Sequence, residues 1–190
     1  MIENGKSDDY NVEKTIVAFS TIHSSQFAYC SGSGSRVILY LRGGGQKMAN
    51  VFDTAKYILE QSGSMSTMKL QKLCYYSQAW SLVWDDSPLF EEDFQAWANG
   101  PVCPELFFKT QGKYSASVGD ETGGEGNLSD NQKDTIDKVL EHYGSHNAQW
   151  LSQLTHMEEP WIKAREGAPS GAGCDNVITK ESMAVYYGGL

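Results

Sequence analysis

Residues 48–190 of this 190-residue chain are predicted to fold as a single compact, mainly α-helical domain of six to seven helices, with at most a short strand or hairpin. Three observations predict it. From Asn50 onward, apolar residues recur at three- and four-residue intervals, the spacing that lays them along one face of a helix. Ser, Thr and Asn stand where several of these stretches begin and Gly where several end, as in capped and terminated helices. Hydrophobic residues make up 40% of the chain and aromatics 12%, enough apolar surface to offset the conformational entropy lost on folding.

The elements follow in order. Val51, Phe52, Ala55, Ile58 and Leu59 define a first amphipathic helix, with Asn50 as its N-cap and Gly63 as its stop. Ser66 or Thr67 caps a second, longer helix reaching about Trp84. Leu73, Tyr76, Trp80, Val83 and Trp84 line one face, Leu70 and Cys74 widen it, and the breadth of that face makes this the central helix. Asp85 to Pro88 breaks it. Phe94, Ala96 and Ala98 alternate with Gln95, Trp97 and Asn99, which fits a short extended piece. Asn99, Gly100 and Pro101 form a turn, and Pro104 opens a helix that ends near Gly112. A glycine-rich, acidic stretch over 118–127 is an exposed loop. Ser129 and Gln132 make a capping box for a helix buried through Ile136, Val139, Leu140 and Tyr143 and stopped by Gly144. Further helices cover Ala148 to Thr155, a short piece after Glu159-Pro160-Trp161, and a final segment capped by Thr179 and carrying Met183, Tyr186 and Tyr187.

The first 47 residues read differently. Two short apolar runs, Thr15 to Phe19 and Arg36 to Leu41, are separated by the Ser31 to Ser35 linker and closed by Gly43 to Gly45. Two isolated short strands make no stable unit, so 1–47 is expected to be a disordered arm. Arg42 to Gly45 also has the composition that purine-rich codons of a ribosome-binding site encode. On that reading 1–47 is a non-native extension and Met48 the start.

Charge narrows the partners. The formal net charge is −9, and residues 48–190 hold ten basic against twenty acidic residues, a net of −10. Such a surface repels phosphate, so direct nucleic-acid binding is disfavoured and a basic protein partner favoured. The four cysteines, Cys30, Cys74, Cys103 and Cys174, show no zinc-ligand spacing and read as reduced thiols of a cytoplasmic protein. No segment has the run of apolar residues that a membrane span needs, and no signal peptide is evident.

Catalytic constellations are thin. Cys103, at a helix start, with His156 is the one thiolate–imidazole pairing worth naming; Cys74 lies mid-helix. His142 and His146 stand four apart, but Gly144 between them ends the helix, so no metal site is expected. The glycines at 123, 124 and 126 are accompanied by Glu121 and Glu125, which would repel a phosphate. No cofactor and no enzymatic activity are expected. The aromatic residues are the unusual feature: Tyr75, Tyr76, Trp80, Trp84, Phe90, Phe94, Trp97, Phe107 and Phe108 crowd one segment. Core packing accounts for most of them, and two or three exposed rings would make a binding surface.

Met68 to Trp80, then Pro88-Leu89-Phe90, then Phe94 to Val102 with Pro104 and Glu105, closely resemble the Panacea domain of the SocA-like antitoxin family, whose members are also described as phage-associated proteins. Leu154-Thr155-His156 followed by Glu159-Pro160-Trp161 resembles that family's second motif. The resemblance spans about residues 50–187 and implies a mainly helical antitoxin that neutralises a toxin encoded beside it by direct binding. One branch is similar to a proteolytic adaptor that delivers its toxin to an AAA+ protease. The toxin-facing surface is expected to include Trp97, Gly100, Pro101 and Val102, with His156, Pro160 and Trp161 nearby, although the glycine and prolines equally serve to hold two turns. Two other readings stand beside it: a hydrolase using Cys103 and His156, and a phage host-interaction protein with no toxin partner.

Overall fold

Seven helices and five short strands make up the described part of the chain. The computed structural model describes residues 49–119, 128–169 and 171–190. The expectations for the arm at 1–47, the start at Met48, Cys30 and the loop glycines at 123, 124 and 126 lie outside these residues.

Helix α1 (Val51–Ser62) begins where Asn50 accepts the amides of Phe52 and Asp53, while Asp53 accepts the Asn50 amide in return. It stops at Gly63, whose φ of 74° favours glycine. Strand β1 (Met65–Ser66) leads into α2 (Thr67–Trp84), capped by the Ser66 hydroxyl. After α2 come β2 (Phe94–Trp97), β3 (Gly100–Val102), α3 (Pro104–Thr110) and β4 (Ser115–Ala116). The C-terminal half adds α4 (Asp130–Tyr143), α5 (Ala148–Thr155), α6 (Glu159–Ala164), β5 (Val177–Ile178) and α7 (Lys180–Tyr187). Ser129 with Gln132, Asn147 and Thr179 cap α4, α5 and α7 through side-chain oxygens.

Helix α2 packs against α1, α3, α4, α5 and α7. Tyr75 and Tyr76 lie fully inside, and the core continues through Leu70, Leu73, Phe90, Phe94, Leu106, Ile136, Val139, Met183 and Tyr187. The stripe predicted for α2 is too narrow in its first three turns: every residue from Leu70 to Ala79 is buried, including Gln71, Lys72, Ser77 and Gln78. A helix surrounded on all sides shows no clean apolar face. At the far end the reverse holds, because Trp84 is exposed and Trp80 and Val83 are half-buried.

The buried polar side chains explain how α2 holds the segment that follows it. Gln78 accepts the amides of Leu89 (2.8 Å) and Phe90 (3.2 Å) and donates to the Phe90 carbonyl at 2.9 Å. Ser81 donates to the Ser87 carbonyl at 3.0 Å. Each bond satisfies a backbone group that burial would otherwise leave unpaired at about 1–3 kcal/mol.

Strand content exceeds the predicted single hairpin. β1 pairs antiparallel with β4, and a three-stranded sheet has the order β3-β2-β5. The two-residue strands β1, β4 and β5 are too short to carry a sequence period, and their pairing is set by distant contacts. The predicted turn is also shifted. Trp97 pairs with Gly100 and Ala96 with Pro101, so Ala98 and Asn99 form the turn while Gly100 and Pro101 begin β3. Pro101 lies on an edge strand of this sheet, where a residue without an N–H costs no ladder bond.

Candidate protein-binding site

The two sequence motifs meet at the β2–β3 hairpin, which is held through its backbone. Its carbonyls accept side chains from three helices and a helix end: Lys72 Nζ on Pro101 (2.9 Å), Ser152 Oγ on Asn99 (2.8 Å), Trp161 Nε1 on Trp97 (3.0 Å) and Arg165 on Ala96 (2.8 Å). Gln71 of α2 then brackets Cys103, accepting its amide at 2.9 Å and donating to its carbonyl at 3.2 Å. Gly100 has a φ of 98°, and a Cβ there would lie 2.6 Å from Thr155 Oγ1 and 2.8 Å from Lys72 Cε. This position requires glycine on both counts.

Two buried ionisable groups lie beneath this corner. Lys72 is 1% exposed, and desolvation pulls its amine down to about 7. Glu158, between α5 and α6, accepts the hydroxyls of Tyr187 at 2.6 Å and Tyr76 at 3.2 Å. Burial pushes its carboxyl up to about 7, partly offset by those two hydrogen bonds. Tyr76 stacks on Tyr143 at 4.2 Å, so the α5–α6 connection is anchored in the aromatic core.

Of the residues expected at a binding surface, Gly100, Pro101, Val102 and Pro160 are buried, whereas Trp97, His156 and Trp161 are half-buried. The Trp161 indole stacks on His156 at 4.1 Å and carries the Arg165 guanidinium 5.0 Å from its ring centre. Desolvation, followed by the charges of Lys72 and Arg165, lowers the His156 pKa. Its Nε2 is buried without a hydrogen-bond partner among the described residues. Trp97 donates through Nε1 to Gln95 at 2.8 Å and meets Phe107 edge-on at 4.8 Å.

Phe107 in turn meets Phe108 at 5.7 Å, and Phe108 is 65% exposed. These two rings were read as part of the aromatic crowd, yet adjacent residues on a helix point in different directions and cannot share one buried face. That signal was available in the sequence. Arg165 carried no comparable signal, because its partners are backbone carbonyls, one at distant Ala96 and two in the following loop at Pro169 and Ala172.

Cys103 does not resemble an activated nucleophile. Burial pushes its thiol up to about 12, and Sγ lies 3.3 Å from the Glu105 carboxylate, which disfavours the thiolate further. Among the described residues no group of three or more His, Cys, Asp or Glu side chains is placed to hold a metal ion. No helix among them is long and apolar enough to cross a membrane.

Residues 70–162 match the family model described as antitoxin SocA-like, Panacea domain. That span runs from the start of the buried stretch of α2 to the middle of α6 and contains the hairpin with most of its side-chain anchors. No match was found among curated proteins or among solved structures.

Proposed function

We propose, from the match of residues 70–162 to the antitoxin SocA-like, Panacea domain model, that this chain belongs to that family and is the antitoxin of a toxin–antitoxin pair. It neutralises a cognate toxin, encoded nearby, by direct protein–protein binding. The family match carries this reading. The net charge of −10 over residues 48–190 supports it, since complementary charge speeds encounter with a basic partner and excludes wrong ones. Trp97, His156 and Trp161 are the expected residues that keep some exposure, and they supply the contact. Gly100, Pro101, Val102 and Pro160 act from beneath by fixing the hairpin and the start of α6.

The test is expression of the neighbouring open reading frame with and without this chain. Growth arrest by the neighbour alone and rescue on co-expression is the expected result; a harmless neighbour removes the antitoxin reading at this locus. Repeating the rescue in a host lacking its AAA+ proteases separates binding from delivery. Rescue that persists there assigns neutralisation to binding alone, and rescue that disappears assigns this chain the adaptor role.

A further inference from the structure

We propose that the partner docks on one aromatic ridge, running from Phe108 and Phe107 on α3 through Trp97 on β2 to Trp161 and His156 at the α5–α6 corner. We propose further that the partner is a basic protein presenting an apolar side chain to the Phe107–Phe108 end. This rests on the antitoxin reading and gives it a surface.

Continuity is the first ground. Phe108, Phe107 and Trp97 form a chain of edge contacts at 5.7 and 4.8 Å. The Trp161 indole is bonded to the Trp97 carbonyl and stacked on His156. Three separate elements thus bring these residues into one connected series, ring to ring from Phe108 to Trp97 and through the Trp97 carbonyl to Trp161, and none of the five side chains is fully buried. The second ground is the exposure of Phe108, 65% of a large apolar ring, which internal packing does not account for. A clustered apolar patch with a polar rim marks an interaction surface more than scattered exposed residues do. Glu105 and Lys109 are exposed around it.

The third ground is rigidity. Trp161 is held between His156 and Arg165, and Trp97 is tied by its indole N–H to Gln95 and by its carbonyl to Trp161. Rings fixed before binding lose little freedom on binding, so their buried area converts efficiently into affinity. Charge selects the occupant: with ten basic against twenty acidic residues in 48–190, a second copy of this chain would be repelled and a basic protein attracted.

The experiment uses the full 190-residue chain and the purified product of the adjacent gene, with the dissociation constant measured by calorimetry at low and physiological salt. Phe108→Ala is expected to weaken binding at least about tenfold, with an unchanged circular dichroism spectrum and melting temperature. Val185→Ala, at a still more exposed apolar position on α7, is expected to bind as wild type. Affinity is expected to fall as salt rises. If wild type binds and both Phe108→Ala and Phe107→Ala bind as tightly, the ridge is overturned while the antitoxin reading survives. If wild type does not bind the neighbour, both fall. Affinity indifferent to salt overturns the basic partner, and a wild-type dimer that Phe108→Ala converts to monomer reassigns the ridge to self-association.

Discussion

The first three turns of α2 and the hairpin corner carry the two halves of the same sequence pattern, yet they are built in opposite ways. From Leu70 to Ala79 the helix is buried on every side, and its polar residues are spent on distant backbone: Gln71 on Cys103, Lys72 on Pro101, Gln78 on Leu89 and Phe90. At the corner, Trp97, His156 and Trp161 are half-buried and braced against each other, while Phe108 projects outward. The contrast divides a run of similar-looking motif residues by task. Polar side chains inside hold the backbone, and aromatic side chains outside keep the exposure that the proposed partner contact needs.

The sharpest way to break that division is at Gly100, where the two regions touch. Gly100→Ala forces a Cβ against Thr155 and Lys72 at a φ of 98°. We expect a loss of roughly 2–4 kcal/mol of stability, measured by urea unfolding. Near-wild-type stability would show that α2 and the hairpin are not tightly locked.

An effect of comparable size, spread over pH, comes from the buried ionisable groups. The Glu158 carboxyl sits at about 7 in the folded chain against an ordinary 4.5, so the folded state holds more protons between those values and stability falls as pH rises through that window. The Lys72 amine sits at about 7 against 10.5, so above pH 7 the unfolded state holds more protons and stability rises. Together they place a dip in stability near pH 7, with flanks of roughly 3–5 kcal/mol. His156, whose pKa is lowered, pulls the other way below its ordinary 6.5, so each flank is read as a difference between wild type and variant. Glu158→Gln should flatten the acid flank and Lys72→Met the alkaline one in unfolding curves taken from pH 5 to 9. Unchanged slopes in both variants would remove these groups as its cause.

The smallest expected effect is at the join within the ridge. Trp161→Phe keeps the ring stack and loses the bond to the Trp97 carbonyl at 3.0 Å. We expect about 1 kcal/mol lower stability and a measurably faster dissociation of the partner. A variant with wild-type stability and dissociation would mean that Trp97 and Trp161 are independent contacts.

Much of this was legible in advance, for local reasons. The caps at Asn50, Ser66, Ser129 and Thr179 and the stop at Gly63 are written in single residues next to the helices they bound. The meeting of the Trp97 and Trp161 segments was anticipated from a pair of motifs. The strands β1, β4 and β5 were not, because two residues offer no period and their partners lie far along the chain. The interior lysine was equally invisible, since a lysine on a helix reads as solvated until the hairpin that covers it is in place. Gly100 and Pro101 were assigned to a turn by residue type, but the register puts the turn one step earlier, at Ala98 and Asn99.

The anchoring of the hairpin through its carbonyls has an evolutionary consequence. Lys72, Ser152, Trp161 and Arg165 grip main-chain oxygens of Pro101, Asn99, Trp97 and Ala96, groups that every residue possesses. The side chains of Gln95, Trp97 and Asn99 can therefore be exchanged without releasing the grip. A surface built on such a mount can change its contacts at these three alternate positions while its frame stays the same.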